Sequence, residues 1–413
     1  MTETLSFSTT IFKEDMEKMK KVVSMLLVLV MVLSCLAGCG GGETDGGNDG
    51  GDKAADTFYI GGIGPTTGGA AIYGLGVKNG AQIAVDEINA AGGINGFKIE
   101  YNFQDDEHDP QKSINAYNNL KDWGMQILMG TVTTDPCVAV CAQTAKDNMF
   151  QVTPSASSTD VLANGNAMQI CFTDPNQGTA SAKYIGENAL ATKVAIIFDS
   201  SSIYSTGIKD KFVEEAKNQT SFEIVSQEAF TADTKTDFST QLQKAKDAGA
   251  DLVFLPIYYQ EASIILKQAK DMGYAPKFFG CDGMDGILTV ENFDTALAEN
   301  LMLLTPFSAD ATDDATVSFV TKYKENNNGE IPNQFAADAY DAMYTIKALI
   351  EKANVTPDMT TSEICDALKP VMNQIEIKGL TGGESGILTW DETGAVSKDP
   401  AAVIIKNGVY VGM

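Results

Sequence analysis

The chain predicts an α/β fold of two doubly wound, Rossmann-like lobes. Three observations carry that reading. Short apolar runs alternate with segments of helical periodicity. Those runs are near-continuous in Val, Ile, Leu and Phe, the mark of parallel strands covered on both faces. The alternation comes in two series, and about 350 residues follow the N-terminal segment, too many for one ordinary core.

The first series opens with a strand at Phe58 to Gly64. A helix at Val77 to Ala91 places Ala81, Ala84, Val85 and Ile88 on one face, and Gly92-Gly93 stops it. Lys98 to Phe103 is a strand and Pro110 to Trp123 a helix. Gln126 to Val132 is a buried strand, a helix starts at Asp135-Pro136, and Met149 to Thr153 is the next strand. The second series runs strand Lys193 to Asp199, helix Gly207 to Gln219, strand Glu223 to Phe230, helix Ser239 to Ala248, strand Asp251 to Pro256 and helix Gln260 to Met272. Strands at Pro276 to Gly280 and Leu301 to Thr305, and a long helix around Asn333 to Ala353, come next. Short strands at Gly386 to Trp390, Ala401 to Ile405 and Val409 to Val411 close the chain.

The N-terminal segment predicts export. Lys18, Lys20 and Lys21 precede an apolar run, Val22 to Cys35, of signal-peptide length, too short to favour a spanning helix. It ends in Leu36-Ala37-Gly38-Cys39, which resembles a bacterial lipobox with Cys39 as the lipidated first residue. Residues 1–39 are thus read as a signal peptide, with Met19 as start and 1–18 as an upstream extension. Residues 40–56, rich in Gly and Asp, read as a flexible tether. The working part is expected on the outer face of the cell membrane, held by lipid.

Composition narrows the function. A formal net charge of -26, from 55 acidic against 29 basic residues, argues against nucleic-acid binding. Beyond the signal and anchor cysteines remain Cys137, Cys141, Cys171, Cys281 and Cys365, an odd number and no disulfide scaffold. Cys137 and Cys141 share a helix face and read as small buried hydrophobes. His108 is the one histidine, so a Ser-His or Cys-His catalytic pair would have to use it. No nucleophile elbow, phosphate loop or zinc-protease motif occurs. Asp105, Asp106 and Asp109 lack calcium-loop spacing and read as a solvated loop capping a helix. Neither enzyme activity, cofactor nor metal is expected.

Ligands of such folds sit beyond the carboxyl ends of the strands. There the first series presents hydroxyls opening helices, Thr133-Thr134 and Ser155 to Ser158, suited to a carboxylate. The second presents Tyr258, Tyr259 and Asp282, suited to an ammonium. Together they match an α-amino acid, although capping alone would account for any single hydroxyl.

The ordered motifs Gly64-Pro65-Thr66-Thr67-Gly68, Tyr73-Gly74, Asn89 to Gly96, Asp105-Asp106, Thr153-Pro154-Ser155, Asp174 to Gly178 and Tyr204-Ser205-Thr206-Gly207 resemble those of the branched-chain amino acid binding proteins of bacterial ABC importers. These have the type I periplasmic-binding-protein fold, and the resemblance spans about Thr57 to Met413. It implies that the Thr134 hydroxyl holds the ligand carboxylate, that Ser157 bonds both carboxylate and ammonium, and that the Ser155 carbonyl and Asp282 take the ammonium. Tyr73, Tyr204 and Tyr258 match cleft tyrosines. It also implies a three-strand hinge near Asp174 to Gly178, Thr305-Pro306 and Val396 to Pro400. Lobe 1 would then be 57–177 with 306–396, and lobe 2 178–305 with 397–413. The partners implied are an amino acid, membrane permease subunits and the membrane through its anchor, the protein itself being a monomer. Asp282 is shorter than the family's usual Glu. The family's first-lobe disulfide falls on His108 and Thr133 here and is absent. The identity of the side-chain pocket, with Asp285 nearby, stays open. So do a sensing role in place of import, small amides or peptides as ligands, and an exported hydrolase on the same scaffold.

Overall fold

The computed structural model describes residues 56–398 and 401–413. The signal segment, Cys39, the tether and Pro400 of the third expected hinge crossing lie outside the described residues. In the first sheet β1 (Thr57–Gly64), β2 (Lys98–Asp105), β3 (Ile127–Gly130), β4 (Phe150–Thr153) and β5 (Ala167–Gln169) run parallel, in the order β2-β1-β3-β4-β5. Between them lie α1 (Ala71–Ala90), α2 (Pro110–Trp123) and α3 (Thr134–Asp147). Alternation along each strand sorts the core. Leu128 packs with Tyr117, Leu120 and Val140 on one face, while Ile127 and Met129 face α1 on the other.

The chain then enters α4 (Asp174–Glu187) and a second sheet of β6 (Lys193–Asp199), β7 (Glu223–Phe230), β8 (Leu252–Leu255), β9 (Lys277–Gly280) and β10 (Met302–Thr305). These run in the order β7-β6-β8-β9-β10, repeating the first sheet's pattern. Here α4 and α5 (Ile203–Ala216) cover Val194, Ile196 and Phe254 on one face. On the other, α6 (Ser239–Asp247) and α7 (Tyr259–Asp271) cover Ala195, Ile197 and Val253. The chain returns to the first half through α8 (Asp314–Asn326), α9 (Gln334–Ala353), α10 (Thr361–Leu368) and a small antiparallel pair, β11 (Glu376–Lys378) and β12 (Ile387–Thr389). It crosses once more to add β13 (Ala401–Lys406) and β14 (Val409–Gly412) to the second sheet. In both sheets the strand order reverses beside the first strand, which places a crevice at the carboxyl ends of β1 and β3 and of β6 and β8.

Several expectations need correction. The sheets are not parallel throughout: β13 pairs antiparallel with β10, and β14 pairs antiparallel with β13 across a tight hairpin turn at Asn407-Gly408, both at positive φ. The chain passes from the first sheet to the second half just before Asp174, close to the expected crossing, but Asp174 to Gly178 form the first turn of α4, a helix not foreseen. The hydroxyls after β4 open only a 3-10 turn, Thr159–Leu162, where Ser158 accepts from the Asp160 amide. Asp106 is not solvated. It is fully buried, accepting from the His108 amide and the Ser113 hydroxyl. Asp109 does cap α2, accepting from the Lys112 amide at 2.8 Å.

Helices α1 and α9 pack closely at Gly80. A Cβ on Gly80 would lie 2.0 Å from the Ala336 carbonyl oxygen, a backbone atom that cannot step aside. Gly80→Val is therefore expected to destabilise the fold by about 1–3 kcal/mol or more, read as a lowered thermal midpoint. An unchanged midpoint would mean the helices separate freely there.

Candidate functional site

The two halves meet at the crevice, and tyrosines make the contact. Tyr73, in the first turn of α1, donates its hydroxyl to the Gly283 carbonyl at 2.5 Å and accepts from the Tyr259 amide at 3.2 Å. Tyr204, in the first turn of α5, donates to Asp282 Oδ1 at 2.7 Å and accepts from the Gly283 amide at 3.0 Å. Tyr258, which precedes α7, stacks on Tyr204 with ring centroids 4.7 Å apart and meets Tyr73 edge-on at 5.3 Å. Tyr73, Ser155, Tyr204, Tyr258 and Asp282 line one cavity of about 10 Å3, together with Phe335. That is the room of one water, so any larger ligand enters only when the halves part.

Thr134 and Ser157 stand together beside this cavity rather than on its lining. The Ser157 amide donates to Thr134 Oγ1 at 3.2 Å, and the Ser157 hydroxyl is buried without a hydrogen bond. The Ser155 hydroxyl donates to the Val132 carbonyl at 2.6 Å. The cavity lining holds no basic side chain, so an anionic ligand group here would be held by hydroxyls and backbone amides at the α3 N-terminus.

Asp282 is fixed from three sides. Tyr204 holds its carboxylate, Gln177 Oε1 accepts from its amide at 3.1 Å, and Gln334 Nε2 donates to its carbonyl at 2.9 Å. Burial pushes its carboxyl up to about 7, against the Tyr204 hydrogen bond. Asp285 points elsewhere, its Oδ2 accepting from the Gln334 amide at the start of α9.

Sequence reasoning missed several of these groups. Asp174 and Gln177 belonged to a stretch read as hinge, and the helix they start was not expected. Asp135 accepts from the Ser202 hydroxyl and the Ile203 amide, joining α3 to α5. The acid directly after two cap hydroxyls was the available signal. His108 Nδ1 lies 2.9 Å from Thr133 Oγ1, so the two positions of the family's disulfide are joined here by a hydrogen bond. Burial keeps His108 below its ordinary range and hence neutral at pH 7. The five cysteines among the described residues are free and buried. Cys137 and Cys141 pack with Ala156, Val161 and Leu162. No group of three or more His, Cys, Asp or Glu side chains among the described residues is arranged to hold a metal ion. None of their helices is long and apolar enough to cross a membrane.

The chain is similar to known proteins over most of its length. A family profile described as periplasmic binding protein matches residues 57–401. A Leu/Ile/Val-binding protein homolog of Brucella melitensis is 32% identical over 362 residues, 86% of this chain and 93% of its own length. The Leu/Ile/Val-binding protein BraC3 of Rhizobium johnstonii is 31% identical, covering 80% and 88%. Among solved structures, LivJ, the substrate-binding protein of a branched-chain amino acid transporter of Streptococcus pneumoniae, crystallised with isoleucine, superposes with a TM-score of 0.76 at 29% identity. It covers 86% of this chain and all of its own.

Proposed function

Because the chain belongs to the periplasmic binding protein family, we propose that it is the solute-binding lipoprotein of an ABC importer that captures a branched-chain amino acid. The observation that carries the ligand class is the cavity shared by Ser155 and Tyr73 of one half with Asp282, Tyr204 and Tyr258 of the other. Thr134, Ser157 and the α3 N-terminus take the ligand carboxylate. Asp282, the Ser155 carbonyl and also the Ser157 hydroxyl take its ammonium. The aromatic wall of Tyr73, Tyr258 and Phe335 receives an apolar side chain. Entry requires the halves to part about the three crossings. Closure then excludes water and strengthens the charge pairing. The closed monomer delivers its ligand to membrane permease subunits, held near them by lipid on Cys39.

Calorimetry on the purified protein, unfolded and refolded to strip carried ligand, tests this against the twenty amino acids. Micromolar or tighter binding of leucine, isoleucine or valine is the expected result, and silence across the panel would sink the assignment. The same titrations carry a pH prediction. An ammonium pairs only with ionised Asp282, whose carboxyl sits at about 7. Affinity should therefore hold above that pH and fall below it by up to about tenfold per unit. Equal affinity at pH 5.5 and 8 would separate Asp282 from the ammonium.

A further inference from the structure

The chain's one histidine stands at the seam between the halves. His108 follows β2 in the first half, at a φ of 60°, with its amide donating to Asp106 Oδ1 at 2.9 Å. On one side its Nδ1 lies 2.9 Å from the hydroxyl of Thr133, which lines the cavity between the halves. On the other its ring meets Tyr258 of the second half nearly at right angles, with centroids 5.5 Å apart. Tyr258 lines the same cavity and stacks on Tyr204. A half-buried ring thus ties a wall residue of one half to a wall residue of the other. The charged groups that face it come from both halves. Asp135 does so from α3, and Asp199 at the end of β6 and Lys235 between β7 and α6 do so from the second half. The acids are already engaged. On its own loop Asp105 accepts from Thr66 and Thr67, Glu107 pairs with Lys112, and Asp109 caps α2. Asp135 accepts from Ser202 and Ile203, and Asp199 from the amide and hydroxyl of Ser201. Lys235 Nζ lies 3.4 Å from Glu261 of α7.

We infer that His108 is a positioning residue for ligand capture, which braces Thr133 against Tyr258 across the closed cleft as a neutral ring and resists closure as an imidazolium. This rests on the amino-acid reading above and deepens it. A neutral ring needs a partner for Nδ1, and Thr133 supplies it. An imidazolium brings a second N–H and a full charge into the cleft, where the nearby acids are spent on other donors. Burial holds the ring below its ordinary range in the closed cleft, and the Lys235 ammonium acts in the same direction, against the pull of Asp135, Asp199 and Asp109. When the halves part, Tyr258, Asp199 and Lys235 withdraw with the second half. Asp135 then loses its bonds to Ser202 and Ile203 and is left beside an exposed ring. The ring returns to about 6.5, the ordinary value for histidine, or above it. Closure must therefore expel its proton. Because the closed state holds the lower value, capture is at full strength above about 6.5 and weakens as the pH falls through it. Asp282 titrates in the same direction, so only a change at His108 separates the two.

A lone histidine gives its own ring signals in NMR, so its titration can be followed directly in the purified protein, freed of carried ligand and of any histidine tag. A saturating amino acid, L-leucine or whichever of the twenty binds tightest, should lower the His108 pKa by about half a pH unit or more. A value unchanged or raised by the ligand would overturn the inference. Calorimetry with the same amino acid at pH 8 and pH 5.5 then compares wild type with His108→Asn. Asn tolerates the left-handed backbone at this position and keeps a polar group for Thr133 without a titrating ring. Wild type should lose about threefold more affinity over that range than the variant, in which Asp282 titrates alone. Equal losses would leave His108 a packing role only and overturn the inference, whatever the variant's affinity at pH 8. Should His108→Asn fail to melt cooperatively, His108→Gln repeats the comparison. Wild type that binds no amino acid ends the reading of the site, and the inference with it. Wild type that binds one, with a pH dependence the variant shares, ends the inference alone.

Discussion

Asp282→Ala is expected to weaken amino-acid binding by about 2–5 kcal/mol, the range for truncating one partner of a buried charge pair, or about thirtyfold and upward in Kd. The size follows from how the residue is held. Tyr204, Gln177 and Gln334 fix its side chain, its amide and its carbonyl, so its position is set before any ligand arrives. With Ala in its place, a captured ammonium would face the Tyr204 hydroxyl and lose a charged partner inside a closed, low-dielectric site. Asp282→Asn keeps the shape and one acceptor, and should fall between the two. Calorimetry with the tightest-binding amino acid of the panel reads both. A loss below tenfold for Asp282→Ala would remove the residue from the site.

Much of the scaffold was legible because local signals agreed with packing. Helix α2 begins at Pro110, after the Asp109 cap, and ends at Trp123 before the left-handed Gly124, the limits the sequence predicts. Strands β6 and β7 were read to the residue, since each is bounded by polar turns. Helix α4 was missed for a physical reason. Its buried face is Asp174, Gln177, Gly178, Ser181, Ala182 and Ile185, mostly polar or small, so no apolar stripe marks it. Gly178 is small because a Cβ there would lie 2.3 Å from the Ile208 carbonyl of α5. Helix α10 carried a signal that went unread, the Thr360–Glu363 capping box. At the site, single hydroxyls and acids were indistinguishable from caps, and the motif order gave them their roles. Asp174 stands within such a motif, yet only its packing against Ser157 and beside Gly207 reveals a buried acid whose carboxylate has no donor.

The same third crossing that feeds β13 carries the largest expected effect on stability. Lys398 Nζ lies 2.8 Å from Asp338 Oδ1 of α9, with both side chains 1% exposed. It also donates to Thr381 Oγ1 at 2.7 Å, and Thr381 in turn donates to Asp341 Oδ2 at 2.7 Å. Burial raises the Asp338 carboxyl while Lys398 pulls it back, and Asp341 is pushed up to about 6. Removing the cation leaves Asp338 buried and alone. Lys398→Met should therefore cost about 3–5 kcal/mol in urea unfolding. The double variant Lys398→Met with Asp338→Leu removes both charges and should recover most of that loss, because a buried pair is nearly balanced against apolar side chains of similar size. A double variant as unstable as the single one would show that the cost lies in lost packing or in Thr381, not in the stranded charge. Recovery of stability with weakened amino-acid capture would show the pair's separate contribution, that of fixing where the third crossing leaves α9 so that the halves close in register.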